Sequence, residues 1–168
     1  MLDKINAFVK SLYLPINNLK KENKAVVLFT SWTEKLPKAV VLTHKNIIEN
    51  IKWSLNLFKV RQDDILLWFL PPFHSFWYTV NTILPLITWL RVIYSPDPND
   101  SWKLLTLIKR YWITTITSTP TFFKMILDLA WENDLKSLKY VVVWAEKCSN
   151  EIFNKFKGLS KKWEILEW

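Results

Sequence analysis

Glycine is almost missing from this chain: Gly158 stands alone in 168 residues, where average usage is about 7%. Cysteine is as scarce, and a lone Cys148 excludes a disulfide framework and a cysteine-built metal site. Two histidines, His44 and His74, are too few for a His-based metal centre. No basic-then-apolar leader follows Met1, so a cytoplasmic, reducing compartment is the expectation. No basic-aromatic pattern of a nucleic-acid binder is present, so no nucleic-acid partner is expected. Half the residues are hydrophobic and 23% are charged, the balance of a globular chain. The net charge of +8 is spread out, apart from the pairs Lys20-Lys21 and Lys161-Lys162. Such a surface suits an anionic partner: a nucleotide, an acidic carrier protein or lipid headgroups. Peripheral association with the inner face of a membrane follows as a secondary expectation.

Tryptophan is what the chain has in excess. Its 11 Trp and one Gly make 12 residues of 168, about the usual glycine share. Trp89, Trp112 and Trp131 each follow an amphipathic or apolar run and precede a new segment. That is the helix C′ position, where left-handed backbone favours glycine. Gly158, after Glu151–Lys157, reads as the same kind of place, and Trp32 lies in a loop of Thr, Ser and Pro. Trp normally buries a large ring and finds a partner for its N–H, and these contexts offer neither. The pattern suits UGA codons that the source reads as glycine. A truly Trp-rich protein and a deliberate Gly-to-Trp design are the competing readings.

From Lys24 onward, short apolar runs alternate with helical ones. Strands are expected at Ala25–Phe29, Ala39–Leu42, Ile65–Leu70, Arg91–Tyr94, Thr114–Ser118, Tyr140–Val143 and Glu164–Leu166. Helices are expected at His44–Phe58 after Thr43, at Phe76–Thr88 with Pro85 bending it, and from an Asp100 or Ser101 cap to Tyr111. Thr119-Pro120 opens another helix to about Ala130, and Ser149–Lys157 a last one. The alternation implies an α/β fold: a mostly parallel sheet with helices on both faces. Residues 1–23 read as a short helix and polar linker, and 24–168 as one partial domain. Ile65–Tyr94 carries one formal charge, Arg91, over about 30 residues, so a membrane span competes there. Its prolines, His74 and hydroxyls favour strand, loop, helix and strand.

Chemistry concentrates in Thr30-Ser31-Trp32-Thr33-Glu34-Lys35-Leu36-Pro37-Lys38-Ala39-Val40. With glycine at 32, this is a hydroxyl-rich loop between strands ending in Pro-Lys. Backbone N–H groups and hydroxyls donate to phosphate oxygens, and lysine adds a mobile positive charge. The Walker ending Gly-Lys-Thr/Ser is absent. Three further segments follow in order: Leu70-Pro71-Pro72-Phe73-His74-Ser75-Phe76-Trp77, Val142-Val143-Trp144-Ala145-Glu146-Lys147 and Glu164-Ile165-Leu166-Glu167-Trp168.

Together these resemble the signatures of the AMP-forming, adenylate-forming enzymes: acyl-CoA synthetases, luciferases and peptide-synthetase adenylation domains. The family loop is Thr-Ser-Gly-Thr/Ser-x-Gly-x-Pro-Lys-Gly-Val. Thr30, Ser31, Thr33, Pro37, Lys38 and Val40 match as written, Trp32 matches only as glycine, and Lys35 and Ala39 replace two more family glycines. Thr33–Val40 followed by Leu42-Thr43-His44 is similar to the acyl–acyl-carrier-protein synthetase branch, including the synthetase half of the bifunctional lysophospholipid acyltransferase.

The resemblance implies that ATP and Mg²⁺ activate a carboxylic acid as acyl-AMP, which then acylates a thiol. The acid implied is a long-chain fatty acid, and the thiol that of acyl-carrier protein or coenzyme A. It implies that Thr30, Ser31, Trp32 as glycine, Thr33 and Lys38 hold the phosphates, with Glu34 beside them among the nucleotide-binding residues. His74 lies on the acid side as the catalytic candidate, Trp144, Ala145 and Glu146 border the adenine, and Glu167 and Trp168 lead into the next nucleotide motif. The family's later Thr-Glu, ribose-binding Asp and C-terminal lysine would lie beyond Trp168, so the piece reads as truncated at both ends and inactive alone. An inactive nucleotide-binding fragment and an adenylation domain for another acid are the alternatives.

Overall fold

A computed structural model describes residues 20–29, 38–57, 60–72, 74–159 and 164–167. The chain divides into two compact units, Met1–Glu49 and Asn50–Trp168. In the first, β-branched and apolar residues form β1 (Lys24–Phe29) and β2 (Ala39–Thr43), which pair antiparallel with Phe29 opposite Ala39. Thr43 then starts α1 (His44–Leu57): its Oγ1 accepts from the Asn46 N–H at 3.2 Å, while Asn46 Oδ1 accepts from the Thr43 N–H at 2.9 Å. This reciprocal pair is a variant of the capping box.

The second unit is built on a five-stranded sheet in the order β4-β3-β5-β6-β7. Its strands are β3 (Ile65–Trp68), β4 (Arg91–Tyr94), β5 (Thr115–Ser118), β6 (Tyr140–Val143) and β7 (Glu164–Glu167). All four pairings are parallel. β3 and β6 are near-continuous apolar runs, as strands buried on both faces require. The connections carry α2 (Ser75–Trp77), a π-helical stretch (Tyr78–Ile83), α3 (Leu84–Thr88), α4 (Ser101–Tyr111), α5 (Pro120–Leu129) and α6 (Asn150–Leu159). Asp100 caps α4, its carboxylate accepting from the Lys103 N–H at 3.0 Å, and Thr119 caps α5 with Pro120 in the first turn. The core joins Leu67, Ile116 and Val141 of the strands to Leu104, Ile108, Ile126 and Phe156 of the helices.

Two helices end as the glycine argument requires. Trp89 (φ 58°) closes α3 and Trp112 (φ 53°) closes α4, both left-handed. Leu90 N–H then donates to Pro85 O and Ile113 N–H to Ile108 O, each at 3.2 Å, the closing bonds of Schellman turns. Both rings are exposed, Trp89 by 87%. Elsewhere the expectation fails. α5 ends at Leu129 with Ala130 extended, so Trp131 is no left-handed cap; the left-handed residue nearby is Asn133 (φ 69°). Gly158 lies inside α6, and no glycine has positive φ. β3 stops at Trp68, short of Leu70, where its pairing with β4 ends; the Trp68 indole donates to Leu70 O at 2.6 Å. Across Ile65–Tyr94 the chain runs strand, helical segment, strand; no helix among the described residues is long and apolar enough to cross a membrane.

The amino ends of β3, β5 and β6 meet at Thr114. Its N–H donates to Ile65 O at 3.0 Å, its Oγ1 accepts from the Ile65 N–H at 2.9 Å, and its carbonyl accepts from Lys139 and Tyr140 N–H groups. Beside it sits Asp64, buried, with Oδ1 2.7 Å from Lys139 Nζ and Oδ2 accepting from the Arg61 N–H at 2.8 Å. Burial works to raise the Asp64 pKa, but Lys139, the Arg61 N–H and Thr114 outweigh it and hold the carboxyl below its ordinary value. A lowered folded-state pKa contributes stability that is present above the unfolded value of about 3.9 and lost as pH falls through the folded one. Asp64→Asn should therefore cost about 2 kcal/mol of unfolding free energy at neutral pH. In denaturant titrations, that difference from wild type should close in acid below the lowered pKa; a difference independent of pH would refute the ion-pair account.

Candidate functional site

Strand order locates a crevice. After β3 the chain steps outward to β4, and after β5 it steps the other way, to β6 and β7. Right-handed crossovers then put the helices following β3 and β5 on opposite faces of the sheet. A crevice opens between such strands at their carboxyl ends, where open α/β sheets hold ligands. Its rim is made by the residues after β3, those around Thr119 after β5, and Trp144–Glu146 after β6.

His74 stands at this rim as the N-cap of α2, with extended backbone (φ −82°, ψ 135°). Its Nδ1 accepts from the Phe76 N–H at 3.3 Å, so the neutral ring carries its proton on Nε2. That bond uses one ring nitrogen as the helix cap, and the ring lies 6.2 Å from that of Trp77. Phe76 stacks on Trp144 with centroids 4.8 Å apart and planes at 9°, and meets Trp77 edge-on at 4.6 Å. That stack joins the loop after β3 to the loop after β6.

Trp144 N–H donates to Ser118 O at 3.0 Å, which holds the β6 turn against the end of β5. Ala145 follows in the left-handed region (φ 76°), a strained choice for a residue with a Cβ. Glu146 is exposed, and its Oε2 accepts from Thr121 Oγ1 at 3.0 Å. Sequence reasoning missed Thr121; the Thr119-Pro120 helix start was the signal that would have put its hydroxyl at this edge. It also missed Asn81, which is buried and accepts from Thr117 Oγ1 at 2.6 Å.

Of the other expected site residues, Thr30, Ser31, Trp32, Thr33, Glu34 and Trp168 lie outside the described residues, as does Phe73. Lys38 is exposed immediately before β2, and Glu167 ends β7. The pairing of Phe29 with Ala39 brings together the flanks of the 30–38 segment. His74, Trp144, Ala145 and Glu146 are thus the expected residues that the carboxyl edge of the sheet gathers. Among the described residues no group of three His, Cys, Asp or Glu could hold a metal.

Comparison with known proteins gives one family and one fold. Residues 4–167 match the family described as AMP-binding enzyme. Tyrocidine synthase 3 of Brevibacillus parabrevis is 27% identical over 149 residues, 87% of this chain and 2% of that protein. The long-chain-fatty-acid–CoA ligase of Haemophilus influenzae is 31% identical over 116 residues, 66% of this chain and 20% of the ligase. The chain therefore spans a small part of these relatives. Apo MatB from Rhodopseudomonas palustris superposes with a TM-score of 0.79 at 21% identity, covering 89% of this chain and 29% of MatB. The inhibitor-bound N-terminal domain of FACL13 from Mycobacterium tuberculosis gives 0.80 at 21%, covering 89% and 37%.

The capping role of His74 can be separated from its chemistry. His74→Ala removes the cap acceptor and should lower unfolding free energy by about 1 kcal/mol, whereas His74→Asn supplies another acceptor and should stay within a few tenths. Denaturant titration of both variants is the check; equal losses would mean the cap contributes nothing.

Proposed function

The chain belongs to the AMP-binding enzyme family, and from that premise we propose that it is the phosphate- and adenine-binding portion of an enzyme that activates a carboxylic acid with ATP. The observation that carries the proposal is the convergence of motif order with topology. The Leu70–Trp77 and Val142–Lys147 motifs, far apart in sequence, follow β3 and β6 at one carboxyl edge of the parallel sheet. The acid's carboxylate oxygen bonds to the α-phosphorus of ATP, the bond to the β-phosphate oxygen breaks, and acyl-AMP and pyrophosphate result. A thiolate of acyl-carrier protein or coenzyme A then takes the acyl group and releases AMP.

In this scheme Thr30, Ser31, Thr33, Glu34 and Lys38, with glycine at position 32, cradle the polyphosphate by hydroxyls, main-chain N–H groups and a mobile ammonium. Trp144, Ala145 and Glu146 border the adenine, Glu167 and Trp168 approach the same nucleotide, and His74 faces the carboxylate. Mg²⁺ fits this reading as an ion that arrives with the ATP phosphates, because it rarely uses an all-protein cage. The acid is a long-chain fatty acid, supported by the apolar Phe76 side of the rim and by the fatty-acid ligase among the relatives. The loop Thr33–Val40 and the net charge of +8 favour an acidic carrier protein as acceptor and a cytoplasmic place at the membrane's inner face.

Two measurements test this reading. The full-length gene product should release pyrophosphate from ATP with Mg²⁺ and a long-chain fatty acid, and His74→Asn should lose at least tenfold in turnover while keeping its fold. Turnover of amino or aryl acids alone would assign a different acid, and no turnover with any acid would leave only a nucleotide-binding module.

The tryptophan excess is read as UGA-encoded glycine. Left-handed Trp89 and Trp112 are the positions where glycine relieves most strain. Trp89→Gly and Trp112→Gly should each stabilise by about 1 kcal/mol or more. Peptide mass spectrometry of the protein from its own host should find glycine at both; UGG codons in the gene would refute the recoding.

A further inference from the structure

The turn after β6 is strained, and strain of this kind lasts only where the surroundings fix it. Ala145 sits in the left-handed region (φ 76°), which its Cβ makes unfavourable. Two contacts flank it. On one side the Trp144 N–H donates to Ser118 O at 3.0 Å, a main-chain bond that glycine at 144 would keep. On the other, Glu146 Oε2 accepts from Thr121 Oγ1 at 3.0 Å, across 25 residues of sequence. The first contact ties the turn to the end of β5, and the second ties it to the first turn of α5. Residues 144–146 are therefore held at both ends.

The place of Thr121 suits it to this task. Thr119 Oγ1 is spent on the cap, accepting from the Phe122 N–H at 3.4 Å, and Pro120 has its φ fixed by its ring. The helix start is thus firm, and Thr121 is the next hydroxyl along it. A β-branched side chain presents that hydroxyl in few directions. The positive end of the helix dipole also favours a negatively charged acceptor, which Glu146 supplies. Thr121 itself is exposed and lies outside the hydrophobic core.

We infer that Thr121 is a positioning residue for the adenine end of the nucleotide: through Glu146 it holds the strained turn in the shape that receives the ring. The inference rests on the proposed placing of residues 144–146 against the adenine, and adds to it a residue outside every sequence motif. Thr121 acts only through Glu146 and takes no part in acyl or phosphoryl transfer.

The test titrates the full-length gene product calorimetrically with AMP and, separately, with inorganic pyrophosphate. Thr121→Val keeps the shape of the side chain and removes the hydroxyl, whereas Thr121→Ser keeps the hydroxyl. The valine variant should bind AMP about fivefold more weakly, the ratio that one hydrogen bond of ordinary net strength supplies. Its pyrophosphate affinity should not change, and the serine variant should restore AMP binding. In turnover, the valine variant should raise the KM for ATP by the same factor and leave kcat nearly unchanged. A role in stability alone would weaken both ligands alike or neither. Unchanged AMP affinity in Thr121→Val, an equal loss for pyrophosphate, or the same loss in Thr121→Ser would overturn the inference and leave the adenylation reading standing. Wild-type protein that binds neither AMP nor ATP would overturn both. Thr121→Ala removes the hydroxyl a second way, so the comparison stands where the valine variant folds poorly.

Discussion

Hydrogen bonds at Thr114 hold three strands in one register. Its amide and hydroxyl bind both polar groups of Ile65 at the start of β3, and its carbonyl takes two N–H groups where β6 begins. Parallel strands slip by one residue only at the cost of turning every side chain to the other face. With the amino ends locked, and Asp64 paired to Lys139 beside them, the register of the buried strands β3, β5 and β6 is set for their whole four-residue length. The carboxyl ends are then free to carry loops whose conformation the sheet does not dictate, and it is there that His74, Thr119 and Trp144–Glu146 collect.

A second constraint runs through the chain termini of the helices. A short α/β unit must turn sharply after each helix to reach the next parallel strand, and left-handed backbone is the compact way to do it. Trp89 and Trp112 sit at two such turns with exposed side chains, the Trp112 ring having only Lys136 Nζ 5.0 Å from its centroid, so the backbone conformation is what the turn uses. Trp77 and Trp144 differ: Trp77 is buried and both pack on Phe76, one edge-on and one stacked. The tryptophans are therefore not one class. Where the ring is exposed at positive φ, glycine is physically equivalent or better; where it is packed, its removal would open space at the rim of the crevice.

Much of the fold was legible because local signals agreed with the tertiary structure. Arg91–Tyr94 and Tyr140–Val143 were bounded correctly by turn residues, and Thr43, Asp100 and Thr119 each cap the helix their side chains foretold. The errors share a cause. Trp131 and Gly158 were placed at left-handed helix ends because each follows a helical run, but α5 stops at Leu129, before Trp131, and α6 continues through Gly158. Where a helix stops depends on what its last turn packs against, which periodicity does not encode. The strand β3 was drawn too long because Phe69 and Leu70 are buried like strand residues while lying beyond the last parallel pair.

The candidate site was legible in part for a different reason. Motif residues such as His74 and Glu146 stand out by chemistry, but the residues that position them do not. Thr121 looks like an ordinary helix residue until its hydroxyl is seen on Glu146. Asn81 is hidden in the apolar run Ile65–Tyr94, where a single amide reads as a minor interruption of a hydrophobic stretch. Thr117 is what gives that amide meaning, and it is 36 residues away in sequence. A buried polar group in an apolar segment is costly wherever it lies, so its presence argues for a partner that local sequence cannot name. The same reasoning accounts for the polar groups inside this apolar stretch: Asn81 meets Thr117 of a second strand, while Leu66, Leu67 and Val80 of the same stretch are buried.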